Sequence, residues 1–413
     1  MSTPALTAKV PAAWTALLST AQLGLVMGWF TLIQIVLPEH MVAVDPEHKE
    51  ASLAIVFAVG AAVSMVSNVV FGALSDRTTG RFGRRRPWIA IGAVSGAGAL
   101  VLLSVQQSVW TMALGWSLVQ LTFNAAFAST VAVVPDRVPE WQRGRVLAWA
   151  GVAQAVGPLL GGLVVALVVT GLVPSYLALA GLLLVTVLPF AARTGEEPVP
   201  PSREPFVLRT FLAGLWVNPR KYPDFGWAWL TRFLLNLSTS MGTGYLLYYL
   251  RDAVGYERLF PGHGADEGVL ILMAIYTVAG IAPTLLAGWL SDRLGRRRAV
   301  ISVAAVLSST AAILLAFASG WSMVIVAAVI LGAGTGAFLA VDQALLTQVL
   351  PTETDRGKDL GVLNIASAGP QVLAPVLAAP LVTSTGGYPL MYGITAAVAI
   401  AGGLLVWKIR SVP

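Results

Sequence analysis

Twelve stretches of this chain are each long and apolar enough to cross a lipid bilayer, and this constrains the fold more than any other feature. They lie near 14–37, 51–74, 88–105, 110–134, 145–170, 173–192, 225–250, 268–290, 299–318, 321–349, 359–384 and 386–408. A helix crossing the hydrocarbon core needs roughly 20 mainly apolar residues. Charged residues make up only 11% of the 413, against about 25% in a soluble globular domain. Such a chain cannot cover a water-facing surface. The expected class is an all-α membrane protein with twelve transmembrane helices. Lys9 alone precedes the first apolar run, with no small-residue cleavage site, so that run reads as a retained helix rather than a signal peptide.

The positive charges fix an orientation. With the N-terminus in the cytoplasm, 22 of the 26 Lys and Arg residues fall in inner segments and three (Lys49, Arg251, Arg258) in outer loops, while Arg232 stays inside a span. That asymmetry obeys the positive-inside rule. It predicts a multi-pass protein of the cell's inner or plasma membrane with both termini cytoplasmic. A net charge of +6 would suit a nucleic-acid binder if it formed one face. Here the arginines are spread over every inner loop, so no nucleic-acid partner is expected.

The chain also repeats itself. GALSDR (72–77) returns as GWLSDR (288–293), Trp110 and Trp321 each open a span, and VVPDRVPEWQRGR (133–145) is echoed by VLPTETDRGKD (349–359), at offsets of 211 to 216. Between the copies, 193–222 is rich in proline and charge and reads as a linker, with FVLRTFLAGLW (206–216) as a short helix on the membrane surface. The expected domains are a six-helix half at 1–192, a cytoplasmic linker at 193–222 and a second half at 223–413. Two parallel repeats of six helices form the architecture of major facilitator transporters.

The loop after the second helix of each half carries the most specific motif. Gly288, Asp292, Arg293, Gly295, Arg296 and Arg297 match G-x-x-x-D-R-x-G-R-R, and the segment resembles the corresponding loop of the major facilitator superfamily. The first copy, with Gly72, Asp76, Arg77, Arg81, Gly83, Arg84 and Arg85, is four residues longer. In that form it resembles the glycoside–pentoside–hexuronide group and its relatives among sucrose–proton symporters. Physically, the first glycine is expected to let helices approach closely, and the aspartate to sit at a helix N-terminus or to pair with an arginine as a cytoplasmic gate. The arginines are expected to enforce topology as well.

The resemblance implies carboxylates that this sequence lacks. Melibiose-type members bind sodium through two acids of the second helix, and those positions are Ser64 and Asn68 here. Plant sucrose carriers hold an aspartate sixteen residues before Asp136, where this chain has Gln120. A sodium site without charged oxygen ligands is disfavoured, so coupling has to rest elsewhere.

Asp342 is the one carboxylate deep within a span, and Arg232 reads as the one buried base. At 1.5 Å per residue both lie about 12–14 Å from the cytoplasmic end. An intramembrane charge is costly and by default functional. Asp342 is therefore the expected proton carrier and Arg232 its partner; the structural alternative is a permanent salt bridge joining two helices.

Family architecture implies that helices one, four, seven and ten line the substrate cavity. Gln22, Gln34, Gln120, Asn124, Asn236 and Thr335 lie on them, and Asn364 and Gln371 lie on the eleventh. Gln120/Asn124 and Arg232/Asn236 share helix faces at i,i+4 spacing. Amides suit a hydroxyl-rich ligand, and Trp29 suits the apolar face of a sugar. The expected substrate-binding set is Trp29, Gln34, Gln120, Asn124, Asn236, Asn364 and Gln371. Amides also tie membrane helices together without touching substrate.

With no cysteine, disulfides, thiolate metal sites and a cysteine nucleophile are excluded. His40, His48 and His263 fall in expected loops, and no histidine cluster or close acid pair sits in a span, so neither an enzyme nor a metal site is expected. The favoured function is proton-coupled uptake of a neutral sugar or glycoside by alternating access. The expected partners are that solute and the lipid bilayer, with no cofactor beyond the coupling proton and a monomeric chain. Two alternatives stay open: an uncoupled sugar facilitator, and a proton-driven exporter of drugs or metabolites. GVAQAVGPLLGGL (151–163) carries part of an antiporter signature in Gly157, Pro158, Gly161 and Gly162, with Ala153 at an upstream glycine position, which keeps the exporter open.

Overall fold

The computed structural model describes residues 9–169, 171–194, 220–349 and 356–411. Among these, twelve long helices follow one another. They are α1 (Ala12–Val44), α2 (Lys49–Arg77), α3 (Arg86–Leu103), α4 (Val109–Arg137), α5 (Glu140–Leu163), α6 (Leu172–Ala192), α7 (Pro223–Gly244), α8 (Ala265–Leu294), α9 (Arg297–Ala316), α10 (Trp321–Val349), α11 (Arg356–Thr383) and α12 (Gly387–Leu405). The surface helix expected at 206–216 and most of the linker lie outside the described residues, as do the side chains of Asn364 and Asp292.

Local chemistry sets the helix ends. The Ser108 hydroxyl accepts from the Thr111 amide to cap α4. Pro223 occupies the first turn of α7, with Asp224 beside it facing the positive end of the helix dipole. Asp266 and Glu267 open α8, and Gly295 ends it in the left-handed conformation. Eleven of the helices are apolar enough over sufficient length to cross a membrane. The exception is α7, where Asp224, Arg232, Asn236 and a run of hydroxyl residues interrupt the apolar surface.

The outward faces fit lipid. Leu114, Val185, Leu285 and Leu286 are each about two-thirds exposed or more (66%, 71%, 70% and 63%). In water such surfaces would drive association; in hydrocarbon they are ordinary, because helices already pair their backbone groups.

Contacts divide the chain into two units, Met1–Lys49 with Val59–Glu204 and Glu50–Ala58 with Pro205–Pro413. In the first, α1 packs on α5 and α6, and α3 packs on α4 and α6. In the second, α7 packs on α11 and α12, and α9 packs on α10 and α12. Each of these four pairings in the first unit recurs in the second with the helix numbers raised by six, so the duplication in the sequence extends to this packing. Small residues such as Ala228, Ala304, Ala305, Ala337 and Ala399 fill much of the second unit's core, as expected where close helix approach substitutes for a hydrophobic driving force.

Gly161 shows what the partial antiporter signature does within its own unit. A Cβ there would overlap the Thr31 side chain and lie 2.7 Å from Met27 Cγ. The glycine thus lets α5 press against α1. Two wide turns interrupt the same pair: a π-helical turn at Leu32–Val36 inside α1, and another at Val164–Val168 continuing α5. Such turns recur at functional sites, and the first carries Gln34.

His40 departs from the loop expected for it. It is buried near the end of α1, one ring nitrogen 3.0 Å from Tyr176 Oη and the other 2.9 Å from the Gln106 carbonyl. The apolar run ends at Leu37, but the helix continues to Val44, and Pro38 is tolerated in the first turn after the π segment.

Candidate functional site

Each unit holds one prominent cluster of hydrogen-bonded polar side chains inside the spans. In the second unit, Arg232 of α7 donates from Nη1 to Asp342 Oδ2 of α10 at 2.6 Å. Both side chains are largely buried, at 12% and 5% exposure. Arg232 also donates from Nε to Ser367 Oγ of α11 at 2.9 Å. One turn on, Asn236 donates to the Arg232 carbonyl at 3.0 Å and reaches the Ala366 carbonyl at 3.5 Å. Three helices are thereby held by one guanidinium. Arg and carboxylate match in geometry, and a charge-assisted bond in a low-dielectric setting is strong only while both partners stay ionised. The arrangement is therefore able to respond to a proton arriving at Asp342.

The first unit holds a neutral network. Trp29 of α1 donates from Nε1 to Gln120 Oε1 of α4 at 2.6 Å, with its ring edge-on to Phe123 and Phe127. Asn124, one turn below Gln120, donates to Ser64 Oγ of α2 at 2.9 Å and to the Gln120 carbonyl, and accepts from Asn68 Nδ2 at 3.1 Å. Gln120 and Asn124 are 3% and 1% exposed. Ser64, Asn68 and Gln120, the positions where the family resemblance places carboxylates, therefore belong to a single cluster around Asn124. Every member of that cluster is uncharged.

Each unit also has a brace of the same kind within itself. Gln154 of α5 donates to Gln22 of α1 at 2.8 Å, the counterpart of Ser367 of α11 receiving Arg232 of α7. The sequence reading missed Ser367 and Gln154. A lone serine or glutamine has no distinguishing spacing, and only the doubled helix pairing exposes them.

Other expected substrate residues are not in these clusters. Gln371 is exposed, and Gln34 is half-buried on the π turn of α1.

The loop motif of the first unit is built on Arg85, not on charge alone. Contrary to the expectation that Arg232 is the one buried base, Arg85 is 3% exposed. It donates to Asp136 Oδ2 of α4 at 3.0 Å and to Ser75 Oγ at 2.6 Å, and it pairs with Asp76. Arg84 also grips Asp136, with Nε 3.1 Å from Oδ2. The motif thus joins the end of α2, the start of α3 and the end of α4. Asp136 at the end of α4 is the acid that anchors it. Arg81 stacks on Phe82 at 4.6 Å, and in the second copy Arg293 lies 5.1 Å from the Trp289 ring. Gly83 and Gly295 both adopt positive φ (81° and 64°), a conformation that favours glycine. The close approach expected at the first glycine is absent: a Cβ at Gly72 meets nothing within 4 Å, and one at Gly288 meets only Ala340 at 3.9 Å.

Among the described residues, no group of three or more His, Asp or Glu side chains is placed to hold a metal.

Compared with known proteins, the chain matches the Major Facilitator Superfamily over residues 18–282 and 262–413. It is 34% identical over 158 residues to the multidrug resistance protein MdtL of Klebsiella pneumoniae, covering 38% of this chain and 40% of that protein. It is 25% identical over 194 residues to inositol transporter 4 of Arabidopsis thaliana, covering 45% and 33%, and 30% identical over 125 residues to the arabinose-proton symporter of Bacillus subtilis, covering 29% and 26%. These matches span only about a quarter to two-fifths of the relatives' lengths. In fold, the chain is similar to the nucleoside transporter NupG (TM-score 0.77, 14% identity, 96% of this chain and 99% of that one) and to a peptide transporter POT (0.77, 13%, 96% and 94%).

Proposed function

This chain belongs to the Major Facilitator Superfamily, and we propose that it takes up a neutral sugar or glycoside together with a proton. The observation that carries this reading is the Arg232–Asp342 pair, an ion pair inside the spans held to a third helix through Ser367. Asp342 takes up the proton, which weakens its hold on Arg232. The guanidinium then reorients toward Ser367 and Asn236, repacking α7 against α10 and α11. That local rearrangement is a two-state element able to bias alternating access between the two six-helix halves.

The substrate class rests on the neutral cluster. Trp29, Gln120 and Asn124 offer an aromatic ring edge and amide groups with no net charge, which suits a polyhydroxylated solute and disfavours an ionic one. Similarity to inositol transporters and to an arabinose-proton symporter supports the same class. By the positive-inside asymmetry the chain sits in the inner or plasma membrane with both termini in the cytoplasm. Transport needs no cofactor beyond the proton and is complete in one chain.

Export of a drug or metabolite is the second reading, favoured by the 34% identity to MdtL. Its sequence signature carries less weight here, since Gly161 is already accounted for by contact with α1.

Uptake of radiolabelled sucrose, maltose, glucose, arabinose and inositol into proteoliposomes, with and without an inward proton gradient, tests the reading. Gradient-driven accumulation of one of them supports symport. Equilibration without accumulation assigns a facilitator, and no movement of any sugar together with efflux of lipophilic cations assigns the exporter.

A further inference from the structure

Away from both clusters, the second unit has a cleft of about 550 Å³ between the start of α7 and the end of α12. Pro223, Asp224, Trp227, Trp407, Lys408 and Arg410 line it. We propose that this cleft binds the headgroup of an anionic phospholipid.

Positive charge dominates the lining. Asp224 is the one acid in the lining, and its two oxygens are already engaged: Oδ1 accepts from the Arg410 amide at 3.0 Å and Oδ2 from the Ser411 amide at 2.7 Å. The side chains of Lys408 and Arg410 are exposed and supply the cleft's positive charge. Arg296, Arg297 and Arg298 open the neighbouring α9 and extend the same positive field.

The segment after α12 is pinned by Asp224 and by Arg298, whose Nη1 donates to the Ile409 carbonyl at 2.7 Å. Trp407 is held by a 2.9 Å bond from its Nε1 to Ser302 Oγ and lies 5.7 Å from the Arg298 guanidinium. The two basic side chains therefore hang from an anchored backbone, and less entropy is lost when they close on a ligand.

The cleft opens at the arginine-rich ends of the helices, where Trp407 is 56% exposed. Tryptophan at a helix end marks the membrane–water interface, and basic pockets between helices on the cytoplasmic side suit anionic headgroups. A phosphodiester sits against Lys408 and Arg410, with its glycerol on the Trp227 and Trp407 rings and its acyl chains left in the bilayer. Without amides or an unengaged acid in the lining, the cleft suits neither a sugar nor a metal cation.

The test uses the purified full chain in a neutral detergent, titrated with phosphatidylglycerol, phosphatidylcholine or soluble glycerol 3-phosphate. Bound lipid is counted by native mass spectrometry. The proposal predicts saturable binding of phosphatidylglycerol in preference to phosphatidylcholine. Lys408→Gln/Arg410→Gln should weaken it roughly tenfold to thirtyfold, the loss of two lipid-facing charges. The variant removes the Arg410 charge near Asp224 but keeps both amide hydrogen bonds to it, so the tail stays docked, and slow exchange of the Arg410 and Ser411 amides without lipid verifies that. Equal binding of both lipids, undiminished phosphatidylglycerol binding by the variant, or equally tight binding of glycerol 3-phosphate would each overturn the proposal.

Discussion

Arg232 on α7 and Asp342 on α10 meet at 2.6 Å inside the spans, and the same guanidinium is tied to Ser367 on α11. A pair so placed serves stability and can serve coupling, and the two roles separate under substitution.

Removing one partner strands the other charge, so Asp342→Asn and Arg232→Gln are each expected to cost about 3–5 kcal/mol of stability. Arg232→Gln/Asp342→Asn leaves no stranded charge and should recover most of that loss. The melting temperature in detergent checks this. If coupling depends on Asp342, the double variant folds well yet does not accumulate substrate against its gradient.

The uncharged cluster around Asn124 predicts indifference to sodium. Uptake should be the same in sodium and choline media, because Ser64, Asn68 and Gln120 offer no carboxylate to a hard cation. Asn124→Leu should cost about 1–3 kcal/mol by leaving Asn68 and Ser64 without a buried partner, and it should raise KM for the sugar.

Arg85 and Arg84 separate a topology role from a structural one. Topology needs only positive charge, so it predicts that Arg85→Lys is silent. The hydrogen bonds from Arg85 to Asp136, Ser75 and Asp76 predict otherwise, because an ammonium cannot reproduce the guanidinium fork. Arg85→Lys should lower stability by about 1–3 kcal/mol. Arg84→Lys, whose side chain is 33% exposed, should cost less. Thermal unfolding of the two variants decides.

Asp224 governs the docking of the C-terminal segment with a definite pH sense. Burial pushes its pKa up, but the Arg410 and Ser411 amides and the Arg410 charge outweigh that and hold it below the ordinary carboxylate value. A group depressed in the folded state stabilises above its unfolded pKa of about 3.9 and loses that contribution as pH falls through the lower folded value. Slow exchange of the Arg410 and Ser411 amides should therefore persist from about pH 8 down to about pH 5 and disappear only in stronger acid. Asp224→Ala should abolish the protection at every pH, as hydrogen exchange will read directly.

Much of the architecture was legible in the sequence because apolar length and arginine placement report on the bilayer directly. The repeat of the GALSDR segment foreshadowed the doubled helix pairing, α1 with α5 mirrored by α7 with α11. Depth counting along α7 and α10 matched Arg232 with Asp342, since rise per residue is fixed, but which faces the helices turn to each other is a packing outcome. For that reason Ser367 and Gln154 went unseen, and Gln371, chosen by spacing, proved exposed. In sequence Arg85 is one of four similar arginines in the loop motif; its burial depends on Asp136, which lies about fifty residues away on α4. His40 lies in a helix because α1 runs on past its apolar run through the π turn to Val44.

Proton movement tests the central claim most directly. Proteoliposomes in weakly buffered medium receive sucrose, maltose, glucose, arabinose or inositol in turn, and external pH is recorded. Wild-type protein should alkalinise the medium on addition of the transported sugar. Arg232→Gln/Asp342→Asn should exchange that sugar by counterflow with no pH change. Alkalinisation of wild-type size by the double variant would contradict the role assigned to Asp342.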